Sequence, residues 1–442
     1  MKKNIRIVGL TLWVIAAIFY SYELVLRIAP SVMVEDLMGA FKIDAAYAGT
    51  IVASYLYIYA PMQLVAGLLL DRYNVRTLMT IAAVAVGGGS ILFGFAPSTS
   101  LAVFGRVLMG FGSSFAFITM LYISSTWFTQ RLYPIFVGVG NSLGMIGAVW
   151  AQGPLSHLVE DYGWRQLSIT LGLIGLVYGV VIFAVCTVFY SRIKEKRIGN
   201  KVKVNLLEGL SIVLRKSQSW IIASVSFLMF ATTSAFAGLW GVTFIKKAHG
   251  YPEATAGFAV SMIFIGWIFG GPTLGYLKVK VFQIRTILMF SSLLALIAIT
   301  LTIYITELPT ALTFSLLFAV GFFSSSMLLT FNYTTLLNIP ELSGVALGFT
   351  SLTAMLGGSI LEPVVGYLLD LHSGGSTRLI RGALEFSLSD YHFALACFPL
   401  CFALAFLATL FLKNDSQVKA IRSLPSPHLI HTHRDKEHFS LQ

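Results

Sequence analysis

Four ionisable residues stand inside runs of sequence that are otherwise apolar: Glu23, Arg27, Arg106 and Glu362. Glu23 and Arg27 are four apart, so a helix sets them on one face, a turn from each other, where an ion pair can form. Arg106 lies deep enough in its run to need a counter-charge or a set of backbone carbonyls, and Glu362 directly precedes Pro363. An ionised side chain at mid-bilayer costs about 2.5–3.5 kcal/mol on insertion scales, so such groups face a partner or a polar cavity. Arginine forks hold carboxylates by paired hydrogen bonds. Carboxylates receive an ammonium group or a proton. The set therefore predicts recognition of a small charged molecule, with Arg27, Arg106 and Glu362 as its ligands, and a proton carried by Glu23 or Glu362. Arg27 competes with the proton for Glu23, and a substrate carboxylate that took Arg27 over would link the two bindings.

Asn141 and Asn332 join the candidate ligands, because an amide in an apolar run is costly unless it bonds something. Tyr20, Tyr55, Tyr59, Tyr122, Trp240, Trp267 and Tyr333 are further polar aromatics at helical spacing, for which packing and the aromatic belts of membrane proteins are the competing explanation. No phosphate-cradling glycine loop with lysine and no His-Glu zinc spacing is present, so neither an enzyme nor a nucleotide-driven pump is expected, and no cofactor or metal. Cys186, Cys397 and Cys401 fall in apolar runs and read as small buried residues. His428, His431, His433 and His438 cluster in a polar tail, which reads as a solvated end.

The elements that must position these residues follow from composition. The chain has 442 residues, 57% hydrophobic and 11% charged, which places it among polytopic membrane proteins. Spans of about 20 residues are predicted at 7–32, 46–70, 77–96, 99–128, 134–158 and 165–190. After a basic stretch come six more, at 220–245, 253–277, 286–306, 309–336, 343–371 and 391–412. This gives a six-helix half over 1–190, a linker over 191–219, a second half over 220–412 and a disordered tail over 413–442. The formal charge of +11 is not a nucleic-acid signature. Of the 30 Lys and Arg, 22 fall in the termini, the linker and the loops on their side, and six in the opposite loops. By the positive-inside rule both termini are cytoplasmic. The first span lacks a cleavage site and is expected to be retained.

A shift of 209 residues aligns Arg76 with Arg285, Gly112 with Gly321, Ser142 with Ser351, Pro154 with Pro363 and Asp161 with Asp370. Two parallel six-helix halves with a site between them near the midplane is an arrangement used by transporters. Between the second and third spans lies Gly67-Leu-Leu-Leu-Asp71-Arg72-Tyr-Asn-Val-Arg76, a charged turn in which Gly67 is expected to allow close helix approach. It resembles the loop signature of the major facilitator superfamily, Gly-x-x-x-Asp-Arg-x-x-x-Arg in this sequence. The second copy, from Gly275 to Arg285, has Val279 in place of the acid. Arg106-Val-Leu-Met-Gly110-Phe-Gly112 is similar to the superfamily's Arg-x-x-x-Gly-x-Gly pattern, in which the arginine is associated with proton coupling. The fifth span carries Gly138, Gly140, Gly144, Gly147, Gly153 and Pro154, like the glycine-rich helix of antiporters and some other members. The resemblance covers about residues 1–412. It implies an all-α fold of twelve transmembrane helices, gating by Gly67, Asp71, Arg72 and Arg76, and transport.

The stretch Phe19 to Met33 resembles the first helix of the proteobacterial intraphagosomal amino-acid transporter family, and the anion:cation symporters show similar first helices. The resulting expectation is a monomeric transporter of a bacterial inner membrane that imports an amino acid or short peptide by proton symport. The alternatives are a symporter of organic anions, sugar acids or nucleosides, and a sensor on the same fold.

Overall fold

The computed structural model describes residues 2–128, 133–190, 206–305, 307–339, 342–374, 378–380 and 383–418. Among them twelve long helical segments cross the molecule. The first six are α1 (Lys2–Ile28, prolonged by a 3-10 turn over Ala29–Val32), α2 (Ala45–Arg72), α3 (Val75–Phe95), α4 (Thr99–Trp127), α5 (Tyr133–Tyr162) and α6 (Trp164–Tyr190). The second six are α7 (Ser217–His249), α8 (Glu253–Lys280), α9 (Ile284–Tyr304), α10 (Thr310–Leu337), α11 (Ser343–Ser373) and α12 (Leu388–Leu410). All but α2 and α5 are, among the described residues, long and apolar enough by themselves to cross a membrane.

Local signals set their ends. Asp44 and Asn74 cap α2 and α3, their side chains accepting from Tyr47 N at 2.8 Å and Arg76 N at 2.9 Å, which satisfies amides that a helix start leaves unpaired. Pro30 ends α1. It has no N–H to return to the Leu26 carbonyl four residues back. Gly163 and Gly250 take positive φ in the tight turns α5–α6 and α7–α8, where a side chain would be strained. α7 is not regular: Thr232–Trp240 is a π-helical segment, and α10 contains a 3-10 turn at Ser325–Met327.

The duplication is visible in the helix bounds. Val75–Phe95 shifted by 209 gives 284–304, the bounds of Ile284–Tyr304. Ala45–Arg72 gives 254–281 against Glu253–Lys280. Periodicity slips only after α11, where an antiparallel ribbon of β1 (Arg378–Ile380) and β2 (Ala383–Glu385) is inserted before α12. Hydrophobic patterning gave no sign of that ribbon in a short polar loop. Two further short helices lie where loops were expected, Val34–Phe41 after α1 and Leu206–Leu214 inside the linker. The described part of the tail, 413–418, is packed on the second half: Val418 is fully buried and Lys413 N donates to Gln218 Oε1 at 3.0 Å. The histidine cluster of the tail lies outside the described residues.

The halves meet mainly at one end, called here the loop end, where α1 turns into Val34–Phe41 and α11 runs out to the ribbon. A Cβ on Gly49 of α2 would stand 2.5 Å from the Glu362 carbonyl oxygen of α11, and one on Gly366 or Gly257 would overlap the carbonyl of Ala45 or Gln152 in the other half. Small residues thus let backbones of opposite halves touch. Lys246 of α7 pairs with Glu35 across the halves at 2.8 Å and with Glu253 at 3.3 Å. Gln152 donates to the Ala237 carbonyl, again across the halves. At the other end, which carries the linker, the tail and the charged turn, a Cβ at Gly67, Gly138, Gly275 or Gly344 would meet nothing within 4 Å among the described residues. The contacts between the halves among the described residues thus gather at the loop end, and the close approach expected at Gly67 involves no described neighbour.

Candidate functional site

α1, α2 and α4 bring Glu23, Arg27 and Arg106 together, and α11 adds Glu362 from the other half. Glu23, Arg106 and Glu362 are buried, at 0%, 1% and 4% exposure, and Arg27 is half-buried. The expected Glu23–Arg27 pair does not form. Glu23 Oε1 instead accepts from the Tyr55 hydroxyl at 2.5 Å, a partner on α2 that a one-helix spacing argument does not see. The Arg27 guanidinium turns away toward the second half. It sits over the rings of Tyr59 (5.6 Å) and Phe230 (5.5 Å), and its Nη2 reaches Met355 Sδ at 3.6 Å.

Arg106 is held differently. Its Nη1 donates to the Leu26 carbonyl at 3.0 Å and its Nη2 to the Val52 carbonyl at 3.1 Å, with the Tyr55 ring 4.8 Å below the guanidinium. The Leu26 carbonyl is the one that Pro30 cannot serve, so Arg106 repairs the broken end of α1 and ties it to α2. Both terminal nitrogens are thereby occupied by backbone. Of the two roles open to this residue, the geometry here is that of a clamp.

Glu362 lies at the contact of α2 with α11. Ser234, within the π segment of α7, donates to its Oε1 at 3.4 Å, and Trp240 Nε1 donates to its carbonyl at 2.8 Å. Arg106 and Arg27 are the charges within electrostatic reach of it. Three buried atoms in this cluster have no hydrogen-bond partner among the described residues: Glu23 Oε2, Glu362 Oε2 and Arg106 Nε. A buried polar atom without a partner costs about 1–3 kcal/mol, more when charged, so the two carboxylate oxygens are open to a donor and the Arg106 Nε–H to an acceptor. Tyr20, Tyr55 and Tyr59 wall it, the last two stacked at 5.7 Å.

Other predicted site residues fall elsewhere. Asn141 is half-buried on α5, and Asn332 is exposed on α10. Neither side chain hydrogen-bonds among the described residues. Trp267 serves packing, its Nε1 shared between Thr233 and Ser324 at 3.1 and 3.0 Å, and Tyr333 bonds Gln218 at 2.6 Å near the tail end. Arg76 ties α3 to α6 within the first half, with Nη1 on Thr187 at 3.3 Å and the guanidinium over Phe183. The side chains of Asp71 and Arg72 lie outside the described residues. Phe230, Ser234 and Met355 escaped the sequence reading, since an apolar or hydroxyl residue in an apolar helix carries no signature of its own.

Gly140, Gly144, Gly147 and Gly153 of α5 stand in close contact with their neighbours, whereas Gly138 meets no described atom. A Cβ on Gly144 or Gly147 would overlap Tyr20 or the Ser21 backbone of α1, so α1 is seated against α5 with Tyr20 and Glu23 turned into the cluster.

Residues 8–361 match the sequence profile described as Major Facilitator Superfamily. Among relatives, the membrane sensor protein UhpC of Salmonella typhimurium is 25% identical over 384 residues, covering 80% of this chain and 83% of that protein. The D-galactonate transporter of Escherichia coli O6:H1 is 22% identical over 354 residues, 74% of this chain and 81% of that protein. Among solved structures, a bacterial homologue of the human lysosomal transporter Spinster, inward-facing and unoccupied, superposes with a TM-score of 0.74 at 15% identity. The match covers 95% of this chain and 99% of that one.

Proposed function

Because the chain belongs to the major facilitator superfamily, we propose that it is a secondary transporter that moves a small carboxylate-bearing metabolite across a bacterial inner membrane, coupled to protons. The observation that carries the proposal is the Arg27 guanidinium, which stands between the halves on two ring faces and a thioether. Sulfur is a weak acceptor, so the fork remains able to grip a carboxylate. A relative named for D-galactonate, a sugar acid, supports an organic anion. The unfilled oxygens of Glu23 and Glu362 fit a co-bound proton, and they also fit the ammonium of an amino acid, which keeps the zwitterion as the second reading. The narrower amino-acid kinship rests only on the first helix.

The bias of basic residues supports a cytoplasmic tail end and cytoplasmic termini, so the present state opens inward. Asp71 and Arg72 then belong to the gate that shuts the tail end in the outward-open state, with Gly67 closing its empty space against a neighbour. The sensor reading draws on UhpC. The test is uptake of labelled galactonate, other small organic acids and amino acids into proteoliposomes, with and without a pH gradient. Accumulation of an acid driven by the gradient is expected. Accumulation of amino acids alone would select the zwitterion, and binding without any flux would select the sensor.

A further inference from the structure

Asp370 is the last acidic residue of α11, and its carboxylate leaves its own half. Oδ1 accepts from Ala45 N at 3.2 Å and Oδ2 from Ala46 N at 2.8 Å. These are first-turn amides of α2, which the helix cannot satisfy itself. Asp44, the N-cap, is occupied by Tyr47 N, so the start of α2 is capped jointly by its own half and by the opposite one. The contact is seated by Gly366, one turn earlier on α11, where any Cβ would overlap the Ala45 carbonyl.

We propose that Asp370 is a gating residue of the transport cycle, the latch that holds the loop end shut by capping α2 from the other half. The inference rests on the transporter reading, which supplies the two states, and goes beyond it by assigning the group that sets their balance at this end. The carboxylate adds charge to a helix start, where the dipole favours an anion, and it does so only while α2 and α11 are in contact. Separation of the halves at the loop end returns both amides and the carboxylate to water. The Lys246–Glu35 bridge also crosses here, but its side chains are 34% and 50% exposed, and exposed pairs contribute little.

Two features single out Asp370. Its repeat mate Asp161, at the end of α5, is exposed and makes no hydrogen bond among the described residues, although α8 starts at the equivalent of α2. The latch is thus present on one of the two symmetry-related seams. Moreover, α2 and α11 run antiparallel, so Asp71 at the end of α2 lies at the same end of the molecule as the start of α11. The two helices carry an acid at opposite ends, each toward the start of the other.

The test uses the full chain in nanodiscs, in a background lacking the three native cysteines, with spin labels on Tyr162→Cys and Ile305→Cys at the loop end and on Tyr73→Cys and Phe282→Cys at the tail end. Pulsed electron–electron distance measurements report the two states. Asp370→Ala is expected to raise the loop-open population relative to the loop-closed one roughly tenfold, the usual size of a lost cap, with the tail-end pair closing in step. Asp370→Asn, which keeps one acceptor, should shift it less. Asp161→Ala should leave both distributions unchanged and controls for loss of charge alone. Distributions in Asp370→Ala and Asp370→Asn that match the parent would overturn the latch. So would an equal shift in Asp161→Ala. Distances do not depend on flux, so a latch that behaves as expected in a protein that binds a tested acid or amino acid without any flux would refute the transport reading and leave Asp370 as the closing group of a sensor.

Discussion

Arg106→Lys separates a clamp from a substrate ligand. Arg106 spans two carbonyls on two helices, Leu26 O at 3.0 Å and Val52 O at 3.1 Å. A lysine keeps the charge but offers a single point, so it can serve one carbonyl and not both. The loss is one charge-assisted hydrogen bond, about 1.5–3 kcal/mol. The Leu26 carbonyl, when it is the one abandoned, cannot fall back on Pro30. A melting temperature falls by about 2–4 °C per kcal/mol in domains of 150–250 residues and by less in longer chains. At about 1–2 °C per kcal/mol the expected drop is about 2–6 °C. Buried Cys186 and Cys401 make the measurement direct, because a thiol-reactive dye reports their exposure as the protein melts. Ligand titration of the same signal gives affinity, since binding to the folded state raises the transition. The clamp predicts a lower transition with affinity within a factor of about 3. An unchanged transition with affinity lost by about tenfold or more would refute the clamp and make Arg106 a ligand.

Three other outcomes are expected. Arg27→Lys should weaken binding of a carboxylate by about tenfold, roughly 1.4 kcal/mol, with little change in melting, because its present contacts are rings and a thioether. In Glu23→Gln and Glu362→Gln, the variant that removes the coupling acid should lose accumulation driven by a pH gradient yet keep exchange between equally loaded compartments. If both still accumulate, neither carboxylate carries the proton. Asp36, on the short helix at the loop end, has its carboxyl held above the ordinary value by burial and then by Glu35, with Lys246 offsetting part of it. A carboxyl raised in the folded state destabilises most fully above its folded pKa, and the cost fades as pH falls through that value and is gone below 3.8, where both states are protonated. Asp36→Asn should therefore melt higher than the parent at pH 7, with the gap closing as the medium is acidified. A gap that widens in acid would reverse the assignment.

The scaffold was legible because it is written in long-range patterning. Spans of apolar residues, a repeat of 209 and glycines at helical spacing each report backbone geometry, and the helix bounds follow them to within a few residues. The site was legible in its members and not in its pairings. Glu23, Arg27, Arg106 and Glu362 stood out because charge in an apolar run is expensive. Their partners did not, because Tyr55 and the carbonyls of Leu26 and Val52 reach the site from other helices, and a backbone carbonyl has no letter in the sequence. Asn332 shows the same limit: a single helix does not say which of its faces is covered, and that side chain is exposed. The ribbon and the π segment depend on local hydrogen bonding that hydropathy does not encode.

The duplication also explains why the roles within the site divide as they do. Shifted by 209, Glu23 falls on Thr232, Arg27 on Phe236, Arg106 on Ser315 and Glu362 on Gly153. Each position kept its helix and lost its charge: Phe236 is fully buried in the second half, and Ser315 bonds only within its own turn, to Ala311 O at 2.7 Å. Three of the four charges lie in one half and one in the other. Arg106 is bound to backbone carbonyls inside the first half. Arg27 is the one whose contacts cross the seam, to Phe230 and Met355, and these are soft contacts worth about 0.5–2 kcal/mol for a cation over a ring. On the proposed reading, a substrate carboxylate displaces them at small cost, and in doing so it removes a tie between the halves. Binding and the loosening of the closed seam would then be one event at Arg27, which is the differential contact that a change of state requires.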